Sequence, residues 1–369
     1  MTPMTLSRQR HGLLVQCLAE RAEPIARSPR FTIYRLDQGY RLDPGYGGEP
    51  CRAAPTVACD LDDIILVHDF TPSEIDNNIA RYVADELLPL LLAGAPRAGA
   101  DDNYGDDYGA SDQEVFERFV GEIVRSMDGN ERRAWHLFYD NTLATLYQAV
   151  EQEGGAKRES GAPQDYIADF AAIYRRVGDL IAEVAPATLL DVATCFGFLP
   201  LLLASGTGSE TCHRQRLRCI VGCDLNPALV ALAAGYVRQR KLTGVGFVEA
   251  DILSVNGYGR LPEPSFDVVT AVHLLEHLEP AQTAPAMEAL WTLARRRLIV
   301  TVPVETVPDT RFGHRQVFTR ESLCALGQRT AGTSRCFEDH GAWLVIDRAE
   351  EQDAGSHWAS IHRVRESGT

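Results

Sequence analysis

Three histidines and one acid carry the side chains best suited to move a proton. His273 and His277 follow one short apolar run, and Glu305 and His314 follow another. Imidazole changes charge near neutral pH, and a histidine placed against a hydroxyl can take its proton and make the oxygen a nucleophile. His314 is the expected base, with His273 and Glu305 as the other catalytic candidates. Glu305 also suits the binding of substrate hydroxyls, or a magnesium ion shared with a neighbouring carboxylate and His314; its plain reading is a solvated loop acid. No ligand spacing compels a metal and none is assigned. His277 is expected to anchor its loop.

A second set is acidic. Asp191, Asp224 and Asp251 each close a run of apolar residues: Leu189-Leu190-Asp191-Val192, Gly222-Cys223-Asp224 and Phe247-Val248-Glu249-Ala250-Asp251. A carboxylate at a strand end can receive hydrogen bonds from a ligand, although most such acids are helix caps or solvated.

The elements that must hold these residues alternate. From Tyr166 onward, a helix to Val184 leads into a strand at 188–193, then a strand at 218–224, a helix at 227–240 and a strand at 245–249. A strand at 266–271, a helix at 283–295 and a strand at 298–302 follow, then a helix at 319–328 and strand-like runs at 342–347 and 357–364. Strands separated by helices of this length pair in parallel through right-handed crossovers. In such sheets a ligand lies beyond the carboxyl ends of the strands, where strand order reverses, and the acids and histidines above all fall at that edge.

Asp191-Val192-Ala193-Thr194-Cys195-Phe196-Gly197, together with the later acidic strand ends and Phe266-Asp267 leading to His273, resembles the class I S-adenosylmethionine methyltransferases. The family's first motif is an acid and a glycine-rich turn; Asp191 and Gly197 keep their places, while Ala193 and Cys195 stand where glycines are usual. The resemblance covers about Tyr166 to Arg365. It implies an α/β fold, a Rossmann-like doubly wound seven-stranded sheet, with S-adenosylmethionine as cofactor. It also implies that Asp191, Ala193, Cys195 and Gly197 form the cofactor turn and that Asp224, with Leu225 beside it, receives the ribose hydroxyls. Asp251 would receive the adenine amino group while Ile252 or Leu253 covers the ring, and His273 would lie near the methionine end. The segment around Phe312-Gly313-His314 would border the methyl acceptor.

Residues 1–160 read as a mainly helical extension with a short β segment, and 161–369 as the cofactor domain, joined through Gly154–Gly161. Thr71, Pro72 and Glu74 form a capping box expected to open a helix that runs to about Gly94; Ser111 with Glu114 opens a second, and 131–150 a third. The extension is expected to act as an acceptor lid or interaction element. The acidic run from Asp101 is read as a solvated loop rather than a calcium site. Arg295-Arg296-Arg297 is read as a helix end favoured by the helix dipole.

With 51 acidic and 36 basic residues the net charge is −15, which opposes binding of nucleic acid and favours a small-molecule acceptor, such as a sugar or natural-product glycan. Nine irregularly spaced cysteines argue against a disulfide framework and for a reducing cytoplasm, and the set Cys212, His213, Cys219 and Cys223 lacks paired zinc spacing. No apolar run is long enough to cross a membrane. The oligomeric state is left open. Two further readings stand beside the methyltransferase. A nicotinamide-dependent oxidoreductase shares the architecture, but its G-x-G-x-x-G fingerprint is absent here. A non-catalytic scaffold that holds the cofactor is the other.

Overall fold

Five apolar runs become the parallel strands of one sheet, and the central ones, at 188–192 and 266–272, are buried on both faces, which is the environment a helix-covered parallel sheet provides. The computed structural model describes residues 24–35, 56–61, 64–94, 111–151, 165–205, 217–254 and 266–349. The expected 154–161 linker, the acidic run from Asp101, Cys212, His213 and the 357–364 run lie outside them.

The strands of the large sheet are β5 (Thr188–Val192), β6 (Cys219–Asp224), β7 (Val245–Glu249), β8 (Phe266–Val272), β9 (Ala294–Val302), β10 (Thr333–Glu338) and β11 (Ala342–Asp347), in the order β10-β11-β9-β8-β5-β6-β7. All neighbours pair in parallel except β11, which runs antiparallel to both β9 and β10. Strand order reverses at β5: β6 and β7 lie to one side and β8 to the other. Register brings the carboxyl ends level, with Val192 opposite both Cys223 and Ala271, and Val272 opposite Thr301. The expected acids and histidines therefore emerge at one edge.

The N-terminal region holds a four-stranded antiparallel sheet, β1 (Pro24–Arg27), β2 (Phe31–Arg35), β3 (Thr56–Leu61) and β4 (Ile64–His68), in the order β1-β2-β4-β3. After it come the helical segment α1 over 79–94, then α2 (Asp112–Ser126) and α3 (Glu131–Glu151). The helices of the large sheet are α4 (Tyr166–Val184), α5 (Phe198–Ser205), α6 (Pro227–Arg240), α7 (Thr283–Leu293) and α8 (Arg320–Gln328). One apolar core runs through both regions. It joins Phe31 and Leu66 of the small sheet to Phe119, Phe138 and Tyr139, and these to Phe198 and Leu201 on α5 and Ala233 on α6.

Three local expectations are corrected. The Thr71–Glu74 box forms, with the Thr71 backbone N–H donating to Glu74 at 2.9 Å, but it opens only a 3-10 turn. The chain then unwinds until Ile79. There the carbonyls of Pro72 and Ile75 accept from the Asn141 amide, and the Asn77 N–H donates to the Thr142 hydroxyl, so α3 replaces the helical bonds. Second, Arg295–Arg297 belong to β9, not to a helix end. The buried Arg297 guanidinium grips Asp347 with two bonds of 2.6 and 3.0 Å and also donates to Glu183 and the Leu180 carbonyl, tying α4 to the antiparallel strand. Third, two cysteines among the described residues are joined, Cys324 of α8 and Cys336 of β10. Among the described residues no helix is long and apolar enough to cross a membrane.

Candidate active site

The turn after β5 departs from ordinary L-residue geometry where the family has glycines. Ala193, Cys195 and Gly197 all have positive φ, at 56°, 52° and 74°. An alanine and a cysteine thus hold a conformation that costs each of order 1 kcal/mol, and the surrounding bonds enforce it. The Thr194 N–H donates to the Cys223 carbonyl and the Gly197 N–H to that of Thr194. At Gly197 no side chain fits: a Cβ there would lie 2.3 Å from the Phe247 ring.

Asp224, at the end of β6, completes the turn. Its Oδ2 accepts from the Cys195 N–H at 2.8 Å and its Oδ1 from the Asn226 N–H at 2.9 Å. Each oxygen has a second lone pair free of those bonds, so the carboxylate is aimed by the backbone and retains the capacity to receive a vicinal diol. Burial raises its pKa, while the backbone donors pull it down. Leu225 beside it is 68% exposed. Asp251 caps its own turn through the Leu253 N–H at 2.8 Å, and Ile252 is buried against the core. Asp191 is placed differently from the acids on either side of it. It is buried behind the turn, and its two oxygens accept from the hydroxyls of Thr194 and Thr270, both at 2.7 Å. Its carboxyl is raised from 3.8 to about 6, chiefly by burial.

Across the strand-order reversal lies the histidine group. His273 leaves β8 with φ 53°, its N–H donating to the Thr301 carbonyl of β9 at 2.9 Å. Burial lowers its pKa to about 3, and its Nε2 has no hydrogen-bond partner among the described residues. A 3-10 turn at Leu275–His277 then brings Glu276 and His277 inward. Glu276 is 1% exposed, neither of its oxygens has a hydrogen-bond partner among the described residues, and burial raises it to about 8. The His277 ring meets that of His314 edge-on at 4.9 Å, and burial lowers its pKa to about 4. Glu305, in the loop after β9, receives His314 Nδ1 at 3.0 and 2.9 Å from its two oxygens. With Nδ1 engaged by Glu305, Nε2 is the nitrogen left for another partner.

The N-terminal region holds the loop that carries His314. Arg311 donates to Asp309 and Asp85 and to the Ala84 carbonyl of α1; Thr310 donates to Asp112 at the start of α2; Phe312 packs on Phe116 and Tyr166. Gln113 of α2 crosses Gly313 so closely that a Cβ there would overlap the amide.

The structure therefore brings His314, Glu305 and His273 to one place, and Asp224 to the turn that holds Ala193, Cys195 and Gly197. Asp191 stands behind that turn rather than in it. Glu276 went unassigned in the sequence reading, and His277 was given only an anchoring role. The spacing His273-x-x-Glu276-His277 carried a signal for both, since residues three and four apart share one side of a helical turn.

A seven-stranded sheet of this order, parallel but for one reversed strand at the same position, defines the Rossmann-like class I methyltransferase fold. Residues 201–296 match the family model described as a methyltransferase domain. A demethylmenaquinone methyltransferase of Thermus thermophilus is 37% identical over 97 residues, 26% of this chain and 38% of that protein, so the match spans well under half of the relative. Among solved structures, the methyltransferase domain of bacterial CtHen1 aligns at a TM-score of 0.39 and 15% identity, over 48% of this chain and 99% of that one. Magnesium protoporphyrin IX methyltransferase from Synechocystis PCC 6803, solved with bound SAH, aligns at 0.35 and 16%, over 57% and 96%.

Proposed function

We propose that this protein is an S-adenosylmethionine-dependent methyltransferase that methylates a hydroxyl oxygen on a polar small molecule, a sugar or natural-product oligosaccharide. The observation that supports the acceptor side is the pair His314–Glu305 in the loop after β9, in which Glu305 engages Nδ1 and leaves Nε2 directed elsewhere. When bound, the cofactor supplies a methyl group on a sulfonium. Asp224 would receive its ribose hydroxyls, Asp251 its adenine, and the turn over Ala193–Gly197 would lie against its methionine portion. His314 Nε2 would take the proton of the acceptor hydroxyl as that oxygen receives the methyl group. The products are a methyl ether and S-adenosylhomocysteine. Val304 and Val307, 60% and 70% exposed on either side of Glu305, offer apolar surface to the C–H face of a sugar ring beside polar groups for its hydroxyls.

Incubation of the purified chain with methyl-labelled S-adenosylmethionine and a panel of oligosaccharides, mycofactocin glycans among them, tests this reading. Label in a base-stable ether on one sugar is the expected result. Label in an ester or amine would move the acceptor to another class. Tight binding of S-adenosylhomocysteine with no transfer to any compound of a cell extract would favour the scaffold reading, and binding of NAD in its place the oxidoreductase.

A further inference from the structure

Glu276, His277 and His314 each offer one donor atom, and the three atoms lie within 4.8 Å of one another. The residues come from two separate segments, the turn after β8 and the loop after β9. Their juxtaposition is fixed by hydrogen bonds between those segments: the Glu276 carbonyl accepts the Arg315 N–H at 2.7 Å, and the Gln316 side-chain amide donates to the carbonyls of Leu275 and Leu278 at 2.9 Å each.

Two features separate this group from an ordinary hydrogen-bonded cluster. The Glu276 carboxyl is 1% exposed and neither oxygen has a hydrogen-bond partner among the described residues, a buried polar group left without the bonds such groups ordinarily make. His314 is oriented by a carboxylate on its far nitrogen, the Glu305–Nδ1 contact, which leaves Nε2 directed away from Glu305. A carboxylate behind a histidine is the usual support for a metal-binding imidazole, because it fixes the tautomer and raises the basicity of the other nitrogen.

We propose that Glu276, His277 and His314 bind a divalent transition-metal ion, with Glu305 as the residue that positions His314. Two imidazoles and one carboxylate suit manganese, iron, cobalt or zinc, whereas calcium and magnesium prefer all-oxygen sets. Three protein ligands leave coordination positions for an acceptor hydroxyl. The inference rests on the proposed reaction only for the identity of that last ligand, and it replaces the step in which His314 takes the proton. A hydroxyl on the ion is acidified directly, its proton passing to solvent as the methyl group arrives, and His314 then acts through the ion instead of taking the proton itself.

The test is metal binding by the full-length chain, which needs no acceptor. Chelator-stripped protein is titrated calorimetrically with manganese and with zinc, and Co²⁺ loading is followed by its visible absorption. The wild type should take about one equivalent, and E276Q and H277A should lose most of that affinity. E305Q should weaken it about 10- to 100-fold, the usual effect of removing a supporting carboxylate. S-adenosylhomocysteine binding and the melting temperature of each variant show that it is folded. Failure of the folded wild type to bind any of these ions, or equal binding by wild type and E276Q, overturns the site. Transfer of label in the wild type at full rate after chelation, with no metal bound, would retain the methyltransferase reading and reject the metal. Binding of one ion without transfer to any acceptor would do the reverse.

Discussion

Glu305 holds His314 through the imidazole Nδ1 with both carboxylate oxygens, at 3.0 and 2.9 Å, although the two residues lie on a loop with no regular secondary structure between them except one 3-10 turn. The loop is ordered by contacts from outside: Arg311 to Asp85 of α1, and Thr310 to Asp112 of α2. The pair thus depends on the N-terminal helices for its place and on its own two side chains for its tautomer.

Replacing His314 with alanine should lower kcat by about 10²- to 10⁴-fold while S-adenosylmethionine affinity stays nearly unchanged, because the role lies on the acceptor side. H314Q should be similarly slow. Steady-state kinetics at saturating acceptor and calorimetry with the cofactor check both halves. Full kcat in both variants would make His314 a structural residue.

Asp224→Ala should weaken cofactor binding by about 1 to 3 kcal/mol, since a charge-assisted contact is lost and the Cys195 N–H loses its acceptor. Calorimetry with S-adenosylhomocysteine measures it; an unchanged affinity would remove Asp224 from the pocket.

The buried Asp191 carboxyl is raised from 3.8 to about 6, so the native state keeps its proton to higher pH than the unfolded chain does. Ionisation therefore penalises the native state. Relative to D191N, the wild type should lose about 3 kcal/mol of stability as pH rises from about 4 through about 6, with little further change above that. Denaturant midpoints of the two proteins at several pH values give the difference directly; a pH-independent difference would mean that Asp191 titrates normally.

Phe138 on α3 packs edge-on against Phe196 of the turn after β5 and against Trp135. Phe138→Ala should cost about 3 to 5 kcal/mol by denaturant unfolding, and cofactor affinity should fall with it because the turn loses its backing. By the same argument a fragment beginning at residue 165 would expose Phe196, Phe198 and Leu201, and should be far less stable than the full chain. A fragment with a full-length melting temperature would show that the two regions fold separately.

The sheet was legible in the sequence because parallel strands buried on both faces are written as continuous apolar runs. Thr188-Leu-Leu-Asp-Val and Phe266-Asp-Val-Val-Thr-Ala-Val need no partner to be recognised, and the acids that follow such runs mark the carboxyl edge. Sheet order follows from the crossover rule and from the family pattern, so Asp224, His273 and His314 could be placed at one edge. Contacts between distant segments carry no such local signature. Nothing around Asp191 in the chain announces that Thr270 will close over it, and nothing near Glu276 announces that His314, 38 residues on, will face it. The capping box at Thr71 was correctly readable as a box, yet its helix stops because Asn141 and Thr142 of α3 take over the backbone bonds. Arg297 has the look of a helix-end cation until Asp347, 50 residues later, pairs beside it in the sheet. Periodicity and spacing report what a residue does for its own element, whereas burial, partnership and protonation depend on which other elements pack against it, and only the tertiary structure supplies those.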